Sequence, residues 1–261
     1  MKKTILIFAT LSLLISSCIK KIDLNLKEDQ KRTVINTRLL NGTNDFKVKL
    51  SKSGNYFGGN SITSITNASI TLFDGTSSHT LTNSGDGNYI LPSFTANSNQ
   101  EYKLTVTENG NIHEATATLP NVVSLDSISY YFQPSNGFND SGYVISAEMN
   151  DPINEANYYK IEFTVNGEII SGQRGDFITL DDSFVNGNHL VFPVTGELQK
   201  FDTIVMNLFS IDKTTYDYYN QLGSAISGDG AAPSNPSNNF GKDVLGNFSV
   251  MAISSKTVVL N

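Results

Sequence analysis

Apolar residues recur at every second position through most of the chain. In "DFKVKLSKS", Phe46, Val48 and Leu50 fall on one face and Lys47, Lys49 and Ser51 on the other. Period two with one wet face marks a half-buried antiparallel strand. "TVINTRLL", Thr33 to Leu40, alternates in the same way. "ASITLFDG" sets Ile70 and Leu72 together and stops at Asp74-Gly75, a turn pair, and "HTLTNSGDGNYIL" turns at Asp86-Gly87. "EYKLTVTENGNIHEATATL" reads as two strands around Asn109-Gly110, with Tyr102, Leu104 and Val106 inward, then Ile112 and Ala115 onward. Residues 33–119 therefore predict about seven short strands, a β-sandwich.

After Pro120 more strands follow. "GYVISAEMNDP" alternates Tyr143, Ile145 and Ala147, and "NYYKIEFTVNGEII" alternates Tyr159, Ile161, Phe163 and Val165 up to Asn166-Gly167. The period then changes. In "DKTTYDYYNQLGSAIS", Tyr216, Tyr219, Leu222 and Ile226 are spaced by three and four residues, and Asp212 stands at the N-cap position. This predicts a helix over about 213–227. A Gly/Pro/Asn/Ser loop, "GDGAAPSNPSNNFGKD", comes next, and "GNFSVMAISSKTVVL" closes the chain as strand. The expected fold is all-β: two tandem β-sandwich domains, 33–119 and 120–261, the second a sandwich or half-open barrel with one inserted α-helix and a long loop; in the first, "ASITLFDG", "GDGNYIL" and "YKLTV" in that order resemble the small transthyretin-like or immunoglobulin-like sandwiches, which speaks to fold only.

The first 17 residues have a different character. Met1, Lys2 and Lys3 precede an apolar run from Ile5 to Ile15, which ends in Ser16 and Ser17. This is the layout of an export signal. At about 11 residues the run is too short for a membrane-spanning helix, which needs about 20. Ile15-Ser16-Ser17-Cys18 resembles a bacterial lipobox, in which the cysteine thiol accepts a diacylglyceryl group and becomes the first residue after cleavage. Cys18 is the single cysteine of 261 residues, so no intramolecular disulfide can form. Ile19 occupies the place of an inner-membrane retention aspartate, which points to the outer membrane. Either face of that membrane stays open, because the acidic residues Asp23, Glu28 and Asp29 come only after Lys20 and Lys21. Residues 18–32 read as a tether that lifts the body off the membrane.

Charge narrows the partners. The whole chain has 18 basic and 25 acidic residues; removing 1–17 leaves 16 against 25, a net charge of −9. Nucleic acid needs a basic face, so it is not an expected partner.

The residue types of catalysis do not assemble in the sequence. His79, His113 and His189 are too scattered for a metal set, and no G-x-S-x-G elbow occurs. Asp181 and Asp182, with Asp176 nearby, offer oxygen ligands for Ca²⁺, but the loop lacks the D-x-D-x-D-G pattern and a turn or cap role explains it more simply. The "GDG" triplets at 85–87 and 228–230 read as turns. No cofactor or metal site and no enzyme activity is expected. Aromatic residues suit an interface better. Tyr216 and Tyr219 point one way from the helix and Tyr218 largely away from them. The candidate partner contact is therefore the helix and loop face: Tyr216, Tyr218, Tyr219, Pro233, Pro236 and Phe240.

The lipobox cysteine followed by "IDLNL", then "ATATLP", "VSLDSI", "LDDSFVNG", "SIDKTTYDYYNQL" and "NNFGKDVLGNFSV", resemble in order the Bacteroidota lipoproteins catalogued as domain of unknown function 4249. The resemblance implies an accessory lipoprotein that docks on an outer-membrane β-barrel, a TonB-dependent receptor, in substrate capture or uptake. It carries no catalytic residues. The alternative is a glycan- or peptide-binding surface lipoprotein acting alone.

Overall fold

The computed structural model describes residues 31–54, 62–135, 137, 141–153, 155–172, 176–195, 198–228 and 235–261. Cys18, most of the tether and Pro233 lie outside them. Among the described residues there are seventeen strands and one helix. Nine strands fall in the first half: β1 (Thr33–Leu40), β2 (Gly42–Lys52), β3 (Thr63–Ser64), β4 (Ser69–Phe73), β5 (Ser78–Thr80), β6 (Thr82–Gly85), β7 (Asn88–Ala96), β8 (Glu101–Glu108) and β9 (Asn111–Thr118). The second half adds β10 (Leu125–Gln133), β11 (Gly142–Asn150), β12 (Tyr158–Val165), β13 (Glu168–Ile169), β14 (Ile178–Asp181), β15 (His189–Thr195), β16 (Thr203–Ile211), helix α1 (Lys213–Ser227) and β17 (Val244–Val259).

The all-β, sandwich-like class expected from the alternation is what the strands build, and they do not close into a barrel. The two sandwiches share one sheet. A ten-stranded sheet runs β13-β12-β16-β17-β1-β2-β7-β6, with β14 and β3 attached to β12 and β2. A four-stranded sheet, β5-β4-β8-β9, and a three-stranded sheet, β10-β11-β15, both pack on one face of it. The even positions of β17 show this. Val244, Phe248, Val250 and Ala252 join the core under the four-stranded sheet, and Val258 packs in the core under the three-stranded sheet. The expected inward sets Phe46/Val48/Leu50, Ile70/Leu72 and Tyr102/Leu104/Val106 are all buried in the first core. Ile112 instead faces solvent, and β9 turns inward only at Ala115 and Ala117.

β17 is 16 residues long, about 50 Å of extended chain. It changes partner midway. Val244 to Met251 pair parallel with β1, and Met251 to Val259 pair antiparallel with β16. The residue after β1 marks the change: the Asn41 N–H donates to the Met251 carbonyl, and the Asn41 side-chain oxygen accepts from Ile253 N–H at 2.7 Å. Beyond the end of β16 at Ile211, a side chain stands in for a strand. Asn239 Nδ2 donates to the Phe248 carbonyl at 2.8 Å, and its Oδ1 accepts from Phe248 N–H at 3.0 Å. Every buried backbone group needs such a partner.

Two predictions follow from these contacts. Gly246 has φ +96°, and a Cβ there would run into the Ile35 carbonyl of β1. Gly246→Ala is expected to lose on the order of 3 kcal/mol or more in urea denaturation, because the added methyl meets backbone in a conformation that already disfavours it. The second concerns the buried Glu108, which accepts from Lys52 Nζ at 2.8 Å and Thr33 Oγ1 at 2.9 Å. Burial pushes its carboxyl up, but those hydrogen bonds outweigh it and hold the group below its ordinary value. Its stabilisation is complete above an unfolded value of about 4.3 and is lost as pH falls through the lower folded value. Glu108→Gln should thus cost on the order of 3 kcal/mol at pH 7, and the gap from wild type should close as pH is lowered below about 4.

Candidate functional site

Among the described residues, α1 is the one helix or strand that packs on the second face of the large sheet. Asp212 caps the helix by accepting from Thr215 N–H at 2.8 Å, and Gly228 ends it at φ +73°. Burial pushes the Asp212 carboxyl up, against the capping bonds that pull it down. The helix sits over a small apolar cluster built from the odd positions of the central strands, Phe209, Ile211 and Met251.

Lys160 of β12 lies beneath it. Its ammonium is 3.0 Å from Glu162 and 5.1 Å from both the Phe209 and Tyr219 ring centres. Burial lowers its pKa, and Glu162 opposes that shift. Arg38 of β1 reaches the same Glu162 at 3.5 Å and stacks 5.5 Å from the Phe209 ring centre. A buried cation is tolerable because it has a carboxylate and two aromatic faces.

The three helix tyrosines are used differently. Tyr216 donates to Asp181 Oδ2 at 3.0 Å and packs at 5.2 Å on Tyr158. Tyr219 packs on Phe177 and over Lys160, and burial pushes its hydroxyl up to about 12. Tyr218 meets the edge of Tyr219 at 5.5 Å and lines a cleft of about 410 Å³ between α1, β1 and the start of β17. Val34, Asn36, Leu222, Pro236 and Leu245 complete that cleft. Burial raises the Tyr218 hydroxyl. The loop after α1 clamps the far side of the cleft, where Ser237 N–H donates to Gln221 Oε1 at 2.7 Å. A second, more polar cavity of about 410 Å³ opens beside the first, and Asn36, Thr37 and Tyr219 line both.

A family model described as domain of unknown function (DUF4249) matches residues 19–257. The chain belongs to this family. No curated protein matches this DUF4249 chain. Among solved structures it is similar to the crystal structure of bovine butyrophilin at 8% identity, over 69% of this chain and 92% of that one; the TM-score of 0.23 carries no argument about fold.

The residues singled out from the DUF4249 sequence are used differently. Tyr218, Tyr219 and Pro236 line the cleft. Tyr216 and Tyr219 pack down onto the sheet, and Phe240 packs against the first core. Pro233 and the lipidation candidate Cys18 lie outside the described residues. Asp181 accepts from the Ser183 hydroxyl and N–H, which together with Tyr216 hold its carboxyl below the ordinary range. Asp182 accepts from Asn157 N–H at 2.8 Å. Both therefore terminate turns with their carboxylates. Among the described residues no group of three or more His, Cys, Asp or Glu could hold a metal ion. His79 bonds Asp74 at 2.7 Å, and His189 lies 3.2 Å from Asn150. Sequence reasoning missed Asn36, Arg38, Lys47 and Lys49 as cleft residues. Their outward alternation on β1 and β2 was visible, but what stands opposite them was not.

Removing the strand-mimicking side chain tests how the site is held. Asn239→Ala leaves the N–H and carbonyl of Phe248 without their present partner. It should cost about 2 kcal/mol in chemical denaturation, whereas Asn235→Ala at the cleft rim should cost under about 0.5 kcal/mol.

Proposed function

We propose that this DUF4249 chain is a lipid-anchored accessory protein of the outer membrane that docks on a β-barrel. The partner implied by the family resemblance is a TonB-dependent receptor, and the role is substrate capture or uptake. The observation that carries the reading is the sequence Ile15-Ser16-Ser17-Cys18 after a short apolar run. Acylation supplies about 0.8 kcal/mol per buried methylene, and two or more chains make attachment stable. No helix among the described residues is long and apolar enough to cross a membrane, so an acyl chain is the anchor this reading requires. The contact face is the outer side of α1, where Ile226 is exposed and Tyr218 and Leu222 are half-buried beside Pro236.

A second reading, a glycan- or peptide-binding lipoprotein acting alone, is favoured by the cleft itself. A volume of about 410 Å³ with one tyrosine wall and several amides is the size and chemistry of a small-ligand site. Its side chains are suited to binding: amides, hydroxyls and tyrosine rings, with Arg38, Lys47 and Lys49 in the adjoining cavity.

Crosslinking of the native lipoprotein in its membrane, with mass spectrometry of the captured proteins, tests the first reading. One receptor barrel should dominate. Cys18→Ala should lose both the membrane and the barrel, and Ile226→Asp should lose the barrel alone. A wild-type sample that stays in the membrane and captures no barrel contradicts docking.

A further inference from the structure

The open part of the large sheet beside α1 has an ordered polar surface. Strand register sets Asn247, Asn36, Lys49 and Asn88 in one row across four strands, and Ser249, Arg38 and Lys47 in the next. Arg38 and Lys47 are direct cross-strand partners. Like charges in that position destabilise a sheet. They stand so in a protein of net charge −7 that has carboxylates to spare. Glu162 pairs with Arg38, and Asp45, also lining this cavity, accepts from Ser93 N–H. Lys49 donates to the Asp86 carbonyl. Lys47 accepts from the Thr37 hydroxyl through its carbonyl, but neither its side chain nor that of Asn36 has an ion pair or hydrogen bond among the described residues. The Tyr218 hydroxyl in the adjoining cleft is likewise without a hydrogen-bond partner among the described residues.

The two cavities lie side by side, share Asn36, Thr37 and Tyr219 as lining, and together make a groove across β1. At one end are a tyrosine ring and apolar walls. In the middle is the Asn36 amide, and at the other end are Arg38, Lys47 and Lys49. We infer that this groove binds an acidic oligosaccharide, a chain of uronate type, with a sugar ring against Tyr218, hydroxyls on Asn36 and a carboxylate at Lys47.

β1 and β2 beneath the groove are paired on both sides, and the outer edge of β17 is bonded by the Asn238 and Asn239 side chains at Val244 and Phe248, so the site is poorly suited to extension with a peptide main chain. What it offers is side-chain amides, hydroxyls, two tyrosine rings and cations. A sugar uses all four: its apolar ring face packs on aromatic carbon, and its hydroxyls exchange bonds with planar amides. A carboxylate on the sugar explains why two cations are held opposite each other. The inference rests on the second reading above, and it names the ligand class for that site.

The test is titration calorimetry of the mature lipoprotein in mild detergent with an oligogalacturonate, beside a neutral oligosaccharide and an oligoglutamate of similar length. The oligogalacturonate should bind, more weakly as salt is raised. Lys47→Glu should weaken it by about tenfold or more, and Tyr218→Ala should weaken it too. Both variants should keep the wild-type melting temperature within a few degrees, since Lys47 is exposed and Tyr218 only half-buried. Lys200→Glu, on a remote loop, should leave binding unchanged. Equal binding of the neutral oligosaccharide would keep a ligand-binding site and overturn the acidic class. Oligoglutamate binding as tightly, or oligogalacturonate binding that ignores Lys47→Glu, would overturn the saccharide assignment. Absence of oligogalacturonate binding by the wild type would overturn it as well, while leaving barrel capture untouched.

Discussion

The structure depends on one strand finding two different partners. β17 is parallel to β1 in its first half and antiparallel to β16 in its second, and Asn41 bonds both sides of the change. Parallel pairing of a first and a last strand closes a loop through almost the whole chain, and the Asn41–Ile253 bond joins residues 212 positions apart. The entropy of that closure is recovered only when both cores are buried. Each smaller sheet covers one stretch of the same large sheet, so neither sandwich is complete without β17.

The same arrangement creates the site. Because both small sheets lie on one face, α1 is the one element among the described residues that covers the opposite face. A single helix of 15 residues shields the middle of a ten-stranded sheet and leaves β1 and β2 open at its side. The helix is held by polar contacts that are costly to lose: the Asp212 cap, Tyr216 on Asp181, Thr179 on Asn220 at 2.7 Å and Gln221 on the loop. The groove is thus walled by anchored elements, which suits a preformed binding site.

Much of the fold was legible in local pattern. Alternation located β2, β4, β8 and β12 with the right inward faces, because a one-residue slip would have exposed every apolar side chain. Asp212 and the three- and four-residue spacing gave α1 its start and extent. What was not legible is non-local. No periodicity says that β17 lies beside β1, or that a side chain, Asn239, replaces a strand at its free edge. The site suffered from the same limit. A helical wheel turns Tyr218 away from Tyr216 and Tyr219, yet the loop at Pro236 stands there, so Tyr218 faces a cleft instead of open solvent. Arg38 and Lys47 read as ordinary wet positions until strand register placed them face to face.

Hydrogen exchange along β17 tests most directly the claim that one strand unites the molecule. Amides of 245–250, on the β1 side, and of 252–258, on the β16 side, should open with the same free energy, close to that of global unfolding. If the first stretch exchanges while the second stays protected, the two sandwiches open independently. β17 would then be a join between separate units and not the strand on which both depend.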